Sequence, residues 1–131
     1  MAEPLQLEVV TPERLLVRED VESVEAPGKA GYLGILPGHA AFVGELGTGI
    51  LGYAAAGNRR YLAISGGFIE VLPGHVRVLA DVAERGEEID LARAKAALKR
   101  AQDNLAQAEE AEAAAAAQDR ANARIGAAER K

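Results

Sequence analysis

Val78-Leu79-Ala80-Asp81-Val82-Ala83-Glu84-Arg85-Gly86-Glu87-Glu88-Ile89-Asp90-Leu91-Ala92-Arg93-Ala94 is the stretch in which the chain changes character. All but two of its 14 glycines (Gly86 and Gly126) and all five prolines lie on the N-terminal side of this junction. Beyond it Ala, Glu, Arg and Lys dominate. Two kinds of structure are implied, short strands followed by helix.

Upstream, Leu5, Leu7 and Val9 alternate with Gln6 and Glu8, the period of a half-buried strand. Thr11-Pro12 ends it, because proline donates nothing to a sheet ladder. Strand-like runs follow at 15–18, 21–26, 31–36 and 41–43, separated by Pro27-Gly28 and Pro37-Gly38-His39. Gly57-Asn58 suggests a hairpin turn. Tyr61–Ile64, Phe68–Val71 and Val76–Leu79 complete the series. Many short strands with frequent turn signals point to a sandwich or barrel.

Downstream, Asp90 is a good N-cap, since its carboxylate accepts an orphan backbone N–H. Leu91, Leu98 and Leu105 recur at intervals of seven, interleaved with Ala94, Ala101 and Ala108, a narrow seam of coiled-coil type. A second, weakly apolar stripe runs through Ala114, Ala117, Ala121, Ile125 and Ala128. The segment from Glu109 to Ala113 between them reads either as a tight connector between antiparallel helices or as continuous helix, because Ala and Glu are strong helix formers. A tail with two such forms is a candidate switch.

Composition narrows the function. The chain of 131 residues is 49% hydrophobic, enough for one core plus an appendage. A net charge of −5 argues against a nucleic-acid partner. Cysteine is absent, which removes disulfides and thiolate metal sites. No run approaches the about 18 apolar residues of a membrane helix, and the start lacks a signal-peptide pattern, so a cytosolic protein that meets a membrane only through partners is expected. His39 and His75 follow no metal-ligand spacing. Gly66-Gly67 lacks the Lys-Ser or Lys-Thr of a P-loop and reads as a bend or bulge. Ser65 lacks a nucleophile elbow. No catalytic constellation stands out.

Three motifs together carry a resemblance. They are Gly34-Ile35-Leu36-Pro37-Gly38-His39-Ala40, Ser65-Gly66-Gly67-Phe68-Ile69-Glu70-Val71, and the junction quoted above. In this order they resemble the epsilon subunits of bacterial-type (F-type) rotary ATP synthases, over essentially the whole chain. The resemblance implies an α+β chain: a ten-stranded β-sandwich over residues 1–86, then a two-helix α-hairpin over 87–131. It implies a non-catalytic central-stalk subunit of a proton-translocating machine, peripheral on the cytoplasmic face of the bacterial plasma membrane. The sandwich would bind the gamma subunit and the c-subunit ring. The tail would fold back or extend toward the alpha/beta catalytic head, where it would hinder ATP hydrolysis.

The resemblance also assigns residues. The loop with Tyr32, Pro37, Gly38 and His39 would face the ring or stalk, although Tyr32 stands where some relatives carry a carboxylate. No cofactor is required, but some epsilon subunits bind regulatory ATP through an Ile/Leu-Asp-x-x-Arg-Ala motif. Here that motif is intact as Ile89, Asp90, Arg93 and Ala94, with Glu84, Arg100, Arg120 and Arg124 at matching positions. Arg120 and Arg124 share a helix face at i,i+4, and guanidinium suits phosphate oxygens. The plainer alternative is a cap and a solvated charged face. The rival reading of the whole chain is a small-molecule or carbohydrate-binding sandwich that self-associates through its leucine seam.

Overall fold

The computed structural model describes residues 4–106 and 111–130. Eight strands come first: β1 (Leu5–Val10), β2 (Leu15–Val21), β3 (Ser23–Gly28), β4 (Gly31–Ile35), β5 (Phe42–Glu45), β6 (Thr48–Ala55), β7 (Asn58–Leu72) and β8 (His75–Arg85). A short 3-10 turn at Gly86–Glu88 leads into helices α1 (Leu91–Ala106) and α2 (Ala111–Glu129).

The hydrogen-bonded order is β2-β1-β8-β7-β6-β3-β4, with β5 added on β7. Neighbours run antiparallel except β1 and β8, which are parallel in the register Leu7↔Val76 and Val9↔Val78. The path doubles over, so that the Glu22 N–H, just past β2, donates to the Ala54 carbonyl of β6. Between the layers lies one core. Leu5, Leu7, Val9, Leu51, Ile64, Ile69, Val76 and Val78 are all at most 1% exposed within it. The alternation in β1 sets its register there, because a one-residue slip would turn all three inward side chains to solvent.

The class is the one expected, but eight strands stand where ten were expected. One strand of that difference has a clear source. Tyr61–Ile64 and Phe68–Val71 are two parts of a single 15-residue strand, β7. Its first half pairs with β6 and its second half with β5, while β8 follows its other edge along both. The bend is at Gly66-Gly67, whose φ values are +73° and +109°. At Gly67 a Cβ would sit 2.1 Å from the Leu79 carbonyl oxygen, so only glycine lets β7 and β8 approach while the chain turns.

The helices form a hairpin docked on β6 and β7. Ala94 of α1 packs with Ala123, Ala127 and Ala128 of α2, alongside Ile89 and Ala63. This second apolar cluster is separate from the sandwich core. The seam is the alanine stripe rather than the leucine one. Ala94 and Ala101 are 0% and 3% exposed, whereas Leu91 and Leu98 are only partly buried. Small side chains draw the helices close, which leaves the leucines on the flank. Of the remaining seam positions, the Leu105 side chain and Ala108 lie outside what is described, as do Glu109 and Glu110 of the connector. Ala111, Glu112 and Ala113 open α2.

Candidate functional site

A cavity of about 430 Å³ lies between the sheet and the helical hairpin. Its floor is Ala63, Ser65 and Val82 on β7 and β8. Ala97 and Ala101 of α1 and Ala117 and Ala121 of α2 form apolar walls, and Glu84, Arg100, Arg120 and Arg124 line it as well. Alanines on both helices create the space, since a larger side chain at any of them would fill it.

Arg124 reaches across to β8, donating from Nε to Glu84 Oε1 at 2.7 Å and from Nη2 to Oε2 at 3.3 Å. Arg100 and Arg120 form no ion pair among the described residues. The cavity therefore holds three guanidinium groups against one carboxylate. That balance, with an apolar floor and walls, suits an anion carrying a flat or apolar portion.

Four of the expected site residues thus meet here: Glu84, Arg100, Arg120 and Arg124. The other four stand apart. Asp90 caps α1, its Oδ1 accepting from the Arg93 N–H at 3.1 Å. The Arg93 side chain is exposed and does not line the cavity; it shares a face with Arg100 but sits about 10 Å nearer the helix start. Ile89 and Ala94 are buried in the helical cluster, where they pack the hairpin onto the sheet.

The turn after β4 carries the expected contact loop. Gly38 has φ +87°, and the His39 N–H donates to the Leu36 carbonyl. The His39 ring lies 5.4 Å from that of Phe42, and its Nδ1 donates to the Ala40 carbonyl oxygen at 2.8 Å. Tyr32 behaves differently. The residue is 61% exposed, and its hydroxyl accepts from the Ile50 N–H of β6 at 2.9 Å, which ties the side chain back to the fold.

Two features escaped the sequence reading. Arg14, in the turn between β1 and β2, makes a two-point contact with Glu88, both bonds 3.0 Å, so the hinge before α1 is held by the β1–β2 turn beside it. Nothing in the local pattern joins residues so distant in sequence. Phe68 and Leu79 face each other across β7 and β8 with their side chains exposed. The alternation of buried Val76 and Val78 could have revealed Leu79 as outward-facing.

The comparisons with known proteins agree with one another. Residues 4–86 match the family model described as ATP synthase, Delta/Epsilon chain, beta-sandwich domain. The chain is 55% identical over 134 residues to the ATP synthase epsilon chain of Solibacter usitatus, covering 100% of both. It is 53% identical over 106 residues to that of Carboxydothermus hydrogenoformans, covering 81% of this chain and 79% of that one. A chain in the OSCP/F1/c-ring structure of the Euglena gracilis mitochondrial ATP synthase superposes with TM-score 0.73 at 26% identity, covering 93% of this chain and 75% of that one. A chain in the central stalk/c-ring structure of the Tetrahymena thermophila enzyme shares the fold at TM-score 0.56 and 15% identity, over 66% and 70% of the two chains.

Proposed function

The chain belongs to the ATP synthase epsilon-chain family, and from that premise we propose that it is the non-catalytic rotor subunit whose helical hairpin brakes ATP hydrolysis and is held folded by ATP. The observation that carries the regulatory half is the cavity lined by Glu84, Arg100, Arg120 and Arg124, because its walls come from both the sandwich and the hairpin. A ligand filling such a cavity binds the folded form alone. It shifts the equilibrium by its differential affinity for the two forms.

In this reading the guanidinium groups take the phosphates and the apolar floor takes the base. Arg124 exchanges part of its contact with Glu84 for phosphate oxygens. The sandwich couples the gamma subunit to the c ring during synthesis driven by the proton gradient, with the Pro37-Gly38-His39 turn toward the ring. Released, the hairpin extends toward the alpha/beta head. In this reading the chain sits on the cytoplasmic face and is held there by its partners; among the described residues no helix is long and apolar enough to cross a membrane. The self-association reading loses support because the likeness to an ATP synthase epsilon chain runs over the whole chain, tail included.

The test is ATP hydrolysis by a catalytic head lacking this subunit, with the full chain or a chain ending at Glu88 added back. The shortened chain keeps the whole sandwich core. Slowing by the full chain alone, relieved at high ATP and no longer relieved in Arg100→Ala/Arg120→Ala, is the expected result. Equal rates with both chains would leave coupling as the function and remove the brake. Failure of both to bind would overturn the assignment.

A further inference from the structure

A second hollow, about 300 Å³, opens at the far end of α2. It shares no lining residue with the first cavity. Arg59 and Arg60 line it from the start of β7, Arg85 from the end of β8, and Arg130 from just beyond α2. Tyr61 is also in its wall, with the Arg130 guanidinium carbon 6.0 Å from the ring centroid.

The charges here are poorly matched. Glu87 is the single carboxylate in the lining, and its oxygen is 3.8 Å from Arg60, too long for a hydrogen bond. Arg85 Nε is buried without a hydrogen-bond partner. Its nearest carboxylate oxygen, Glu88 Oε1, is 3.5 Å away, and that carboxylate already accepts both bonds from Arg14. Arg59 and Arg130 form no ion pair among the described residues. A chain of net charge −5 thus gathers four guanidinium groups and one carboxylate around one small hollow. Guanidinium groups brought together this way repel one another until an anion with several oxygens bridges them.

We infer that the hollow formed by Arg59, Arg60, Arg85 and Arg130 binds a small oligophosphate anion, of the phosphate or pyrophosphate class. The site is independent of the nucleotide reading of the first cavity. Because Arg59, Arg60 and Arg85 belong to the sandwich and Arg130 to the end of the tail, an anion here fastens the tail at its tip. Free pyrophosphate and the phosphate groups of a nucleotide share this chemistry, and the two cavities give variants that separate them.

Calorimetric titration of the full chain with pyrophosphate, at fixed ionic strength, tests the site. In the Arg100→Ala/Arg120→Ala chain, whose first cavity has lost two of its three guanidinium groups, saturable pyrophosphate binding should persist. Adding Arg59→Ala/Arg130→Ala to that chain should lose about tenfold or more in the remaining affinity. In the Arg100→Ala/Arg120→Ala chain, amide resonances of Tyr61 and Gly86 should move during the titration while those of Ala97 and Ala117 stay. No saturable binding by the parent chain overturns the proposal. So does binding lost with Arg100 and Arg120, which would return the anion to the first cavity.

Discussion

Arg124 and Glu84 meet in a two-point contact, Nε to Oε1 at 2.7 Å and Nη2 to Oε2 at 3.3 Å, and it ties α2 to the end of β8. Both side chains are about three-quarters shielded, at 25% and 31% exposure, so the pair is screened less than a surface ion pair. Arg124→Ala and Glu84→Ala should each loosen the docked hairpin by about 1–2 kcal/mol. The double variant should cost less than the sum, because both singles remove the same contact. Hydrogen exchange of α2 amides reads the difference; additive costs would mean that the two residues act separately.

Gly86 touches α2 more closely than a side chain allows. A Cβ there would lie 2.2 Å from the Ala127 carbonyl oxygen. Gly86→Ala should therefore push the end of α2 off the sheet at a cost of about 1–3 kcal/mol. The melting transition of the sandwich should barely move, since its core is a separate cluster. Limited proteolysis within α2 should rise sharply, and unchanged cleavage would contradict the close approach.

Gly67→Ala should act on the other half of the molecule. Its φ of +109° and the Leu79 carbonyl 2.1 Å from a built Cβ oppose any side chain. A loss of about 3 kcal/mol is expected in denaturant unfolding of the sandwich. Gly57→Ala at the β6–β7 turn also has positive φ but meets open space, so its cost should be smaller, about 1 kcal/mol.

The hinge should respond to acid. The Arg14 guanidinium, through its hydrogen bonds, holds the Glu88 carboxyl below its ordinary 4.5. A carboxyl depressed on folding contributes stability above its unfolded value, and that contribution is lost as pH falls through the folded value. Lowering the pH below about 4.5 should thus loosen the Gly86–Glu88 turn, and Glu88→Gln should flatten the dependence. At the alkaline end, burial first, then the hydrogen bond with Glu19, pushes the Tyr53 hydroxyl up to about 12 from 10.0. A raised group contributes stability below its unfolded value and loses it as pH rises, so the chain should weaken between pH 10 and 12. Tyr53→Phe should remove that slope in denaturant midpoints measured across the range.

Local features were legible in the sequence because they obey local rules. The alternation of Leu5, Leu7 and Val9 and the Asp90 cap stand where the pattern puts them. The β6–β7 turn falls one residue earlier than expected, at Ala56-Gly57, because Asn58 already pairs with Ala55. The continuity of β7 was not legible. Gly66-Gly67 reads as an interruption, and only the pairing of both halves with β8 turns it into a bend inside one strand. The buried face of the hairpin was obscured for a different reason. Alanine appears on every side of both helices, so hydrophobic periodicity alone favours the leucines. Close packing of Ala94 and Ala101 decides otherwise. For the cavity, sequence spacing puts Arg93 and Arg100 on one face, but it does not say how far along α1 the cavity extends.

The alanine-on-alanine packing of the hairpin has a thermal consequence. Heat-capacity changes scale with the apolar area that meets water, and methyl groups expose little of it. Release of the tail should therefore carry a small heat-capacity change, while unfolding of the Leu-, Val- and Ile-rich sandwich carries a large one. The docked-to-released balance should then follow a nearly straight van 't Hoff line across growth temperatures, whereas that of sandwich unfolding should curve.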